Sequence, residues 1–248
     1  MIIFQSENPK ALGNLAGEEA APLIREAIAK KGKANLILAT GTSQFETISR
    51  LLDEEIDWSK VTVFHLDEYI GIPISHPASF RKYLKERFVD KVGNLGAIHY
   101  INGENDPEEE CKRLASLISD KDIDVAFVGI GENGHLAFND PPADFDTQTP
   151  YLVVDLDEPC RKQQMNEGWF EKMEDVPAQA ISMSIQQIMK SKHIICSVPD
   201  ERKAKAVQAC LEGEVSNLNP SSILQEHASC SIFLDDASAS LLSKPIQK

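Results

Sequence analysis

Short apolar runs that break into polar or glycine-rich turns, then into helical periodicity, recur along the whole chain, and this alternation constrains its fold most. The runs are Asn35 to Thr40, Val61 to Leu66, Ala97 to Ile101, Ile123 to Val128, Tyr151 to Val154, His193 to Val198 and Cys230 to Leu234. Most carry apolar residues at both odd and even positions, the pattern of strands buried on both faces. From Pro9 to Lys31, apolar residues at Leu12, Leu15, Ala16, Ala20, Leu23, Ile24 and Ile28 follow helical spacing, and Gly32 supplies a stop. Further helices are predicted over Phe45 to Leu52, Ser79 to Val89, Pro107 to Ile118 and Pro199 to Leu211. A short helix is expected at Ser221 to Gln225 and a closing one at Asp235 to Leu242, while Glu158 to Phe170 reads as a helix or lid. Strands alternating with helices specify an α/β class with a mostly parallel sheet of about seven strands. With no repeat, low-complexity tract or linker, one domain is expected over residues 1–248.

Charge narrows the partners. There are 25 basic and 39 acidic residues, a net charge of −14, whose field repels nucleic acid and anionic membranes. A phosphorylated ligand must then be caught by a local cluster of donors. No apolar run is long enough to span a bilayer, and Met1 to Lys10 lacks the layout of a signal peptide, so a cytoplasmic location is expected. The five cysteines (Cys111, Cys160, Cys196, Cys210 and Cys230) are odd in number and never in Cys-x-x-Cys spacing. Buried free thiols follow, rather than a disulfide framework or a zinc site. The composition is compatible with a homo-oligomer and assigns no copy number.

Four stretches carry chemistry. Gly129 to Pro142 follows an apolar run with three glycines, then His135, Asn139 and Asp140. Glycines at a strand end let the backbone approach a ligand, and a histidine with a carboxylate moves protons; the alternative is a turn with a packed histidine. Gly41, Thr42 and Ser43 lie between a strand and a helix start, where free N–H groups and hydroxyls suit a phosphate, although Ser43 is equally placed to cap the helix. The Gly41 stretch matches neither a nucleotide-binding loop nor a dinucleotide turn. Asp67 stands at a strand end facing the ligand crevice of a parallel sheet, a candidate general base, with turn capping by Asp67 or Glu68 as the other reading. Arg202 and Lys203 sit in a first helical turn, where cations oppose the helix dipole; anion binding and a solvated charged face both account for them.

Three separated pieces resemble one family. Asp67-Glu-Tyr-Ile-Gly-Ile-Pro73 with His76-Pro77, then Gly129-Ile-Gly-Glu-Asn-Gly-His135-Leu-Ala-Phe-Asn139, then Lys203-Ala204 with Glu212-Gly213, are similar to glucosamine-6-phosphate deaminase, a relative of 6-phosphogluconolactonase. The resemblance runs from about Asn35 to the C-terminal strand. It implies a three-layer αβα sandwich with a Rossmann-like sheet. It also implies an enzyme without cofactor or metal that converts glucosamine 6-phosphate and water to fructose 6-phosphate and ammonia. By the same resemblance Asp67 moves the proton from C2 to C1, His135 assists ring opening, and Asn133 and Asp140 orient His135. The phosphate falls to Gly41, Thr42, Ser43 and Lys203, and to an arginine for which Arg161 is the nearest counterpart. Two departures stand out: Asp140-Pro141-Pro142 replaces the family's Glu-Pro-Gly, and Asp146 to Pro150 lacks the arginines common there, which speaks against the allosteric effector site of some members. Two other functions stay open, a 6-phosphogluconolactonase-like hydrolase that needs no base at Asp67 and a non-catalytic sugar-phosphate sensor.

Overall fold

Seven parallel strands form the centre of the structure, a computed structural model that describes residues 1–243. In chain order the elements begin with β1 (Ile2–Ser6), α1 (Pro9–Lys31), β2 (Ala34–Leu38), α2 (Phe45–Leu52), β3 (Val61–His65), β4 (Asp67–Tyr69) and α3 (Phe80–Leu84). Then come α4 (Asp90–Val92), β5 (Ala97–His99), α5 (Pro107–Ile118), β6 (Val125–Val128), β7 (Tyr151–Asp155) and α6 (Glu158–Asn166). The chain continues through β8 (Gln179–Met183), α7 (Ile185–Met189), β9 (His193–Val198), α8 (Ala204–Glu212) and β10 (Cys230–Asp235).

The main sheet runs β1-β10-β9-β6-β2-β3-β5, and β4-β8-β7 form a small antiparallel sheet beside it. Both faces of the main sheet are buried. Along β2, Leu36 and Leu38 join a core with Leu12, Ile24 and Leu51 of α1 and α2, whereas Ile37 joins the opposite core with Leu114 of α5 and Val207 of α8. The odd and even apolar positions of each run thus face different helical layers, which is why the runs do not alternate with polar residues. This is the three-layer αβα arrangement.

Helix ends follow local chemistry. Asn8 caps α1 by accepting from Ala11 N at 2.9 Å, and the N–H of Gly32, in a left-handed conformation, reaches Ile28 O at 2.8 Å. Some expectations shift. The segment Ser79 to Val89 is capped by Ser79 and begins as α3, then widens through Lys85–Val89 before α4. The closing helix over Asp235 to Leu242 does not form; it is replaced by turns. Asp235 Oδ1 accepts from Ser238 N at 2.7 Å while Asp235 N donates to Ser238 Oγ at 3.1 Å, a local closure that competes with helix extension. Strand β1, an edge strand paired with β10, and strands β4 and β8 of the small sheet are additions to the seven apolar runs.

Topology sets the place for a site. From β2 the chain moves to β3 and β5 on one side, and from β6 to β9 on the other, so β2 and β6 flank a switch in direction. Beyond the carboxyl ends of such strands the connecting loops part and leave a crevice.

Candidate active site

A cleft of about 260 Å³ opens at that switch. The loop after β2 contributes Thr40 to Ser43, Asp67 begins β4, and the loop after β6 contributes Gly129 to Gly131 and His135. Gln163, Gln164 and Glu167 enter from α6 and its end, and Asp200, Arg202 and Lys203 from the turn before α8. Asp67 and His135, nearly seventy positions apart, therefore share one cavity.

Asp67 is freed for chemistry by its neighbour. The Glu68 carboxylate is fully buried and accepts from Ser79 Oγ at 2.8 Å, Phe80 N at 3.1 Å and Arg81 N at 2.9 Å. It thus takes the free N–H groups at the start of α3, so the capping anticipated for this dipeptide belongs to Glu68. Asp67, only 7% exposed, instead lines the cleft. Burial pushes its carboxyl up to about 8, and the Glu68 charge adds to the rise.

His135 is held on three sides. Its Nδ1 lies 3.1 Å from Asp140 Oδ1, its backbone N–H donates to Asn133 Oδ1 at 3.1 Å, and its carbonyl accepts from Ser221 Oγ at 2.9 Å. Asn133 Nδ2 also donates to Asp140 Oδ1 at 2.9 Å, and Asp157 N donates to Asp140 Oδ2 at 3.2 Å. Burial raises the Asp140 pKa, but the bonds from His135, Asn133 and Asp157 outweigh it and hold the carboxyl below its usual value. Asp140 thereby anchors both the imidazole and the start of α6. The peptide between Pro141 and Pro142 is cis. The imidazole packs flat against Gly131, where a Cβ would fall 2.3 Å from the ring. Only glycine fits there.

At the other end Gly41 adopts φ 94°, a left-handed conformation natural to glycine, and leads into the tight turn Thr42–Gln44. Ser43 Oγ accepts from Gln44 Nε2 at 3.0 Å. No side-chain cap by Ser43 starts α2, whose N-cap is Gln44. Lys203 is buried, and burial pulls its ammonium pKa down against the opposing pull of Glu167 and Glu132. Arg202 Nη2 contacts Asp200 Oδ2 at 2.8 Å, and its Nη1 lies 3.6 Å from Glu132 Oε1. Asp200 itself has φ 90°, and its N–H reaches the Asp235 carboxylate at 3.2 Å, which fixes the turn carrying both cations.

Arg161 is not brought to the cleft. Its Nη2 donates to Met173 O at 2.9 Å and Val176 O at 2.8 Å, so it ties α6 to the segment after it. The helix turns this side chain away and presents Gln163, Gln164 and Glu167 instead. Those three were not legible as site residues. Their spacing on one face of a polar helix was the available signal. Among the described residues, His135, Asp140 and Cys160 bring potential metal-ligand atoms within 4.8 Å of one another. Burial drives the Cys160 thiol far above its usual pKa, and the Asp140 carboxylate already engages Nδ1 of the imidazole. All five cysteines are free and buried.

A family profile described as glucosamine-6-phosphate isomerases/6-phosphogluconolactonase matches residues 7–232. The chain belongs to this family. Within it, the chain is 37% identical over 230 residues to a glucosamine-6-phosphate deaminase of Bacillus cytotoxicus, covering 92% of this chain and 86% of that one. A second such deaminase, from Exiguobacterium sibiricum, is 39% identical over 206 residues, covering 83% and 80%. The solved structure of a monomeric glucosamine-6-phosphate deaminase superposes with a TM-score of 0.87 at 32% identity, covering 98% of this chain and 100% of that one. A 6-phosphogluconolactonase from Shewanella baltica shares the fold, with a TM-score of 0.79 at 20% identity over 95% and 97%. The α/β sandwich is therefore the family fold, and the relatives named here above 30% identity are glucosamine-6-phosphate deaminases.

Proposed function

We propose that this family member is a glucosamine-6-phosphate deaminase, converting glucosamine 6-phosphate and water to fructose 6-phosphate and ammonia. The observation that carries the reading is the shared cleft: a buried carboxyl at Asp67 and an imidazole braced by Asp140 face one cavity, with Lys203 and the Gly41 to Ser43 loop also lining it. His135 passes a proton from the anomeric hydroxyl to the ring oxygen, which opens the pyranose. Asp67 removes the C2 proton and returns it to C1, leaving an imine at C2; water adds there and ammonia departs. A base that carries a proton from one carbon to the next must both accept and release it near neutral pH, which suits a carboxyl raised to about 8. Asn133 and Asp140 orient the imidazole. Lys203 and the loop hold the phosphate, and this remote binding energy positions the open chain.

A lysine kept dry gains strength as an anion partner, so the phosphate end works despite a net charge of −14. That charge disfavours nucleic acid and anionic membranes, and among the described residues no helix is long and apolar enough to cross a membrane. The five free thiols support a cytoplasmic setting. The test is parallel incubation with glucosamine 6-phosphate and with 6-phosphogluconolactone. Ammonia and fructose 6-phosphate in equal amounts are expected from the first. Lactone hydrolysis without ammonia release supports the hydrolase instead, and binding of the sugar phosphate with neither reaction supports a sensor.

A further inference from the structure

Glu167 follows the last turn of α6 and lines the phosphate end of the cleft. Its Oε1 lies 3.8 Å from Lys203 Nζ, and the two side chains are only 7% and 8% exposed. Both oxygens are held in place: Oε1 accepts from Gln163 Nε2 at 2.8 Å and Oε2 from Trp169 Nε1 at 3.2 Å. Arg202, the second cation of this end, faces Asp200 and Glu132. Carboxylates thus sit against each cation that a phosphoryl group would use. Two anions beside one poorly solvated ammonium repel each other strongly, because screening by water is weak there.

We propose that Glu167 is a specificity-determining residue: its carboxylate competes with the substrate phosphoryl group for Lys203 and sets a deliberately low affinity for phosphate. This rests on the reading of the Lys203 end as the phosphate site. The competition is local, since Gln163 and Trp169 keep the carboxylate aimed at Lys203 while Gln163 Oε1 accepts from Glu132 N at 2.9 Å and links α6 to the His135 loop.

The probe is inorganic phosphate, titrated calorimetrically into the full chain and into Glu167→Gln, Glu167→Ala, Lys203→Ala and the Glu167→Gln/Lys203→Ala pair. Removing the charge by either Glu167 variant should tighten phosphate binding about tenfold, and the gain should vanish when Lys203 is absent. The KM for glucosamine 6-phosphate should fall by a similar factor in Glu167→Gln with kcat changed less than about threefold. The isosteric Gln variant and the smaller Ala variant guard against a folding defect in one of them. Unchanged or weaker phosphate binding in both folded variants overturns the inference, as does an equal gain without Lys203. Ammonia release by the wild-type protein is read separately: its absence removes the deaminase reading, whereas tighter phosphate binding in the variants stands or falls by itself.

Discussion

Asp140 and His135 form one unit: Oδ1 of the carboxylate lies 3.1 Å from Nδ1 of the imidazole, and the same oxygen accepts from Asn133 at 2.9 Å. The aspartate, shorter than a glutamate, reaches the ring directly, so the departure from the family's Glu-Pro-Gly leaves the brace intact. Replacing Asp140 by Asn keeps the size but loses the anion that fixes the tautomer. The expected result is a fall in kcat of about 10²-fold with KM changed by less than about threefold, read by steady-state kinetics. A variant with near wild-type kcat would mean that His135 needs no orienting carboxylate.

Gly131 gives a second test. A Cβ there meets the His135 ring at 2.3 Å, far inside contact distance, so Gly131→Ala must push the imidazole aside. Activity should drop at least about 10²-fold, while melting shows a loss of about 1–3 kcal/mol typical of overpacking. An active, stable Gly131→Ala protein would show that the ring sits elsewhere.

Asp67 links the site to stability. Its carboxyl titrates near 8 when folded and near 3.8 when solvated in the unfolded chain, so the folded protein holds this proton more tightly. The stabilisation is full below pH 3.8 and is lost as pH rises towards 8. Asp67→Asn, which cannot ionise, escapes that loss. Its melting temperature relative to wild type should climb between pH 4 and pH 8, and a difference independent of pH would contradict burial of the charge.

The same titration governs rate. In the proposed mechanism Asp67 takes the C2 proton only when ionised, so kcat/KM should rise with pH along a limb centred near 8, to within about one unit, in the free enzyme. A limb centred near 4 would mean that the carboxyl is well solvated.

Much of this was legible in the sequence, because buried strands advertise themselves. The runs at β2, β3 and β6 are mostly apolar at odd and even positions alike since both faces are covered, and the lining residues Thr42, Asp67 and His135 follow their ends. Strand β8 is less legible, for Gln179–Met183 mixes glutamine and serine with its apolar residues and pairs antiparallel with β4, a segment from more than a hundred residues earlier. Arg161 is the nearest counterpart of the family's phosphate arginine by resemblance, but the direction of α6 decides which side chains face the cleft. Glu167 is illegible in the sequence for the same reason. Its importance comes from Lys203, and no local pattern records that proximity.

Ammonia release from glucosamine 6-phosphate, compared between the wild-type protein and Asp67→Asn, tests the central claim most directly. The wild type should release ammonia and fructose 6-phosphate together, and the folded variant should bind substrate yet turn over at least about 10³-fold more slowly. A variant that keeps most of the wild-type rate, or a folded wild type that releases no ammonia, would contradict the claim that Asp67 moves the substrate proton.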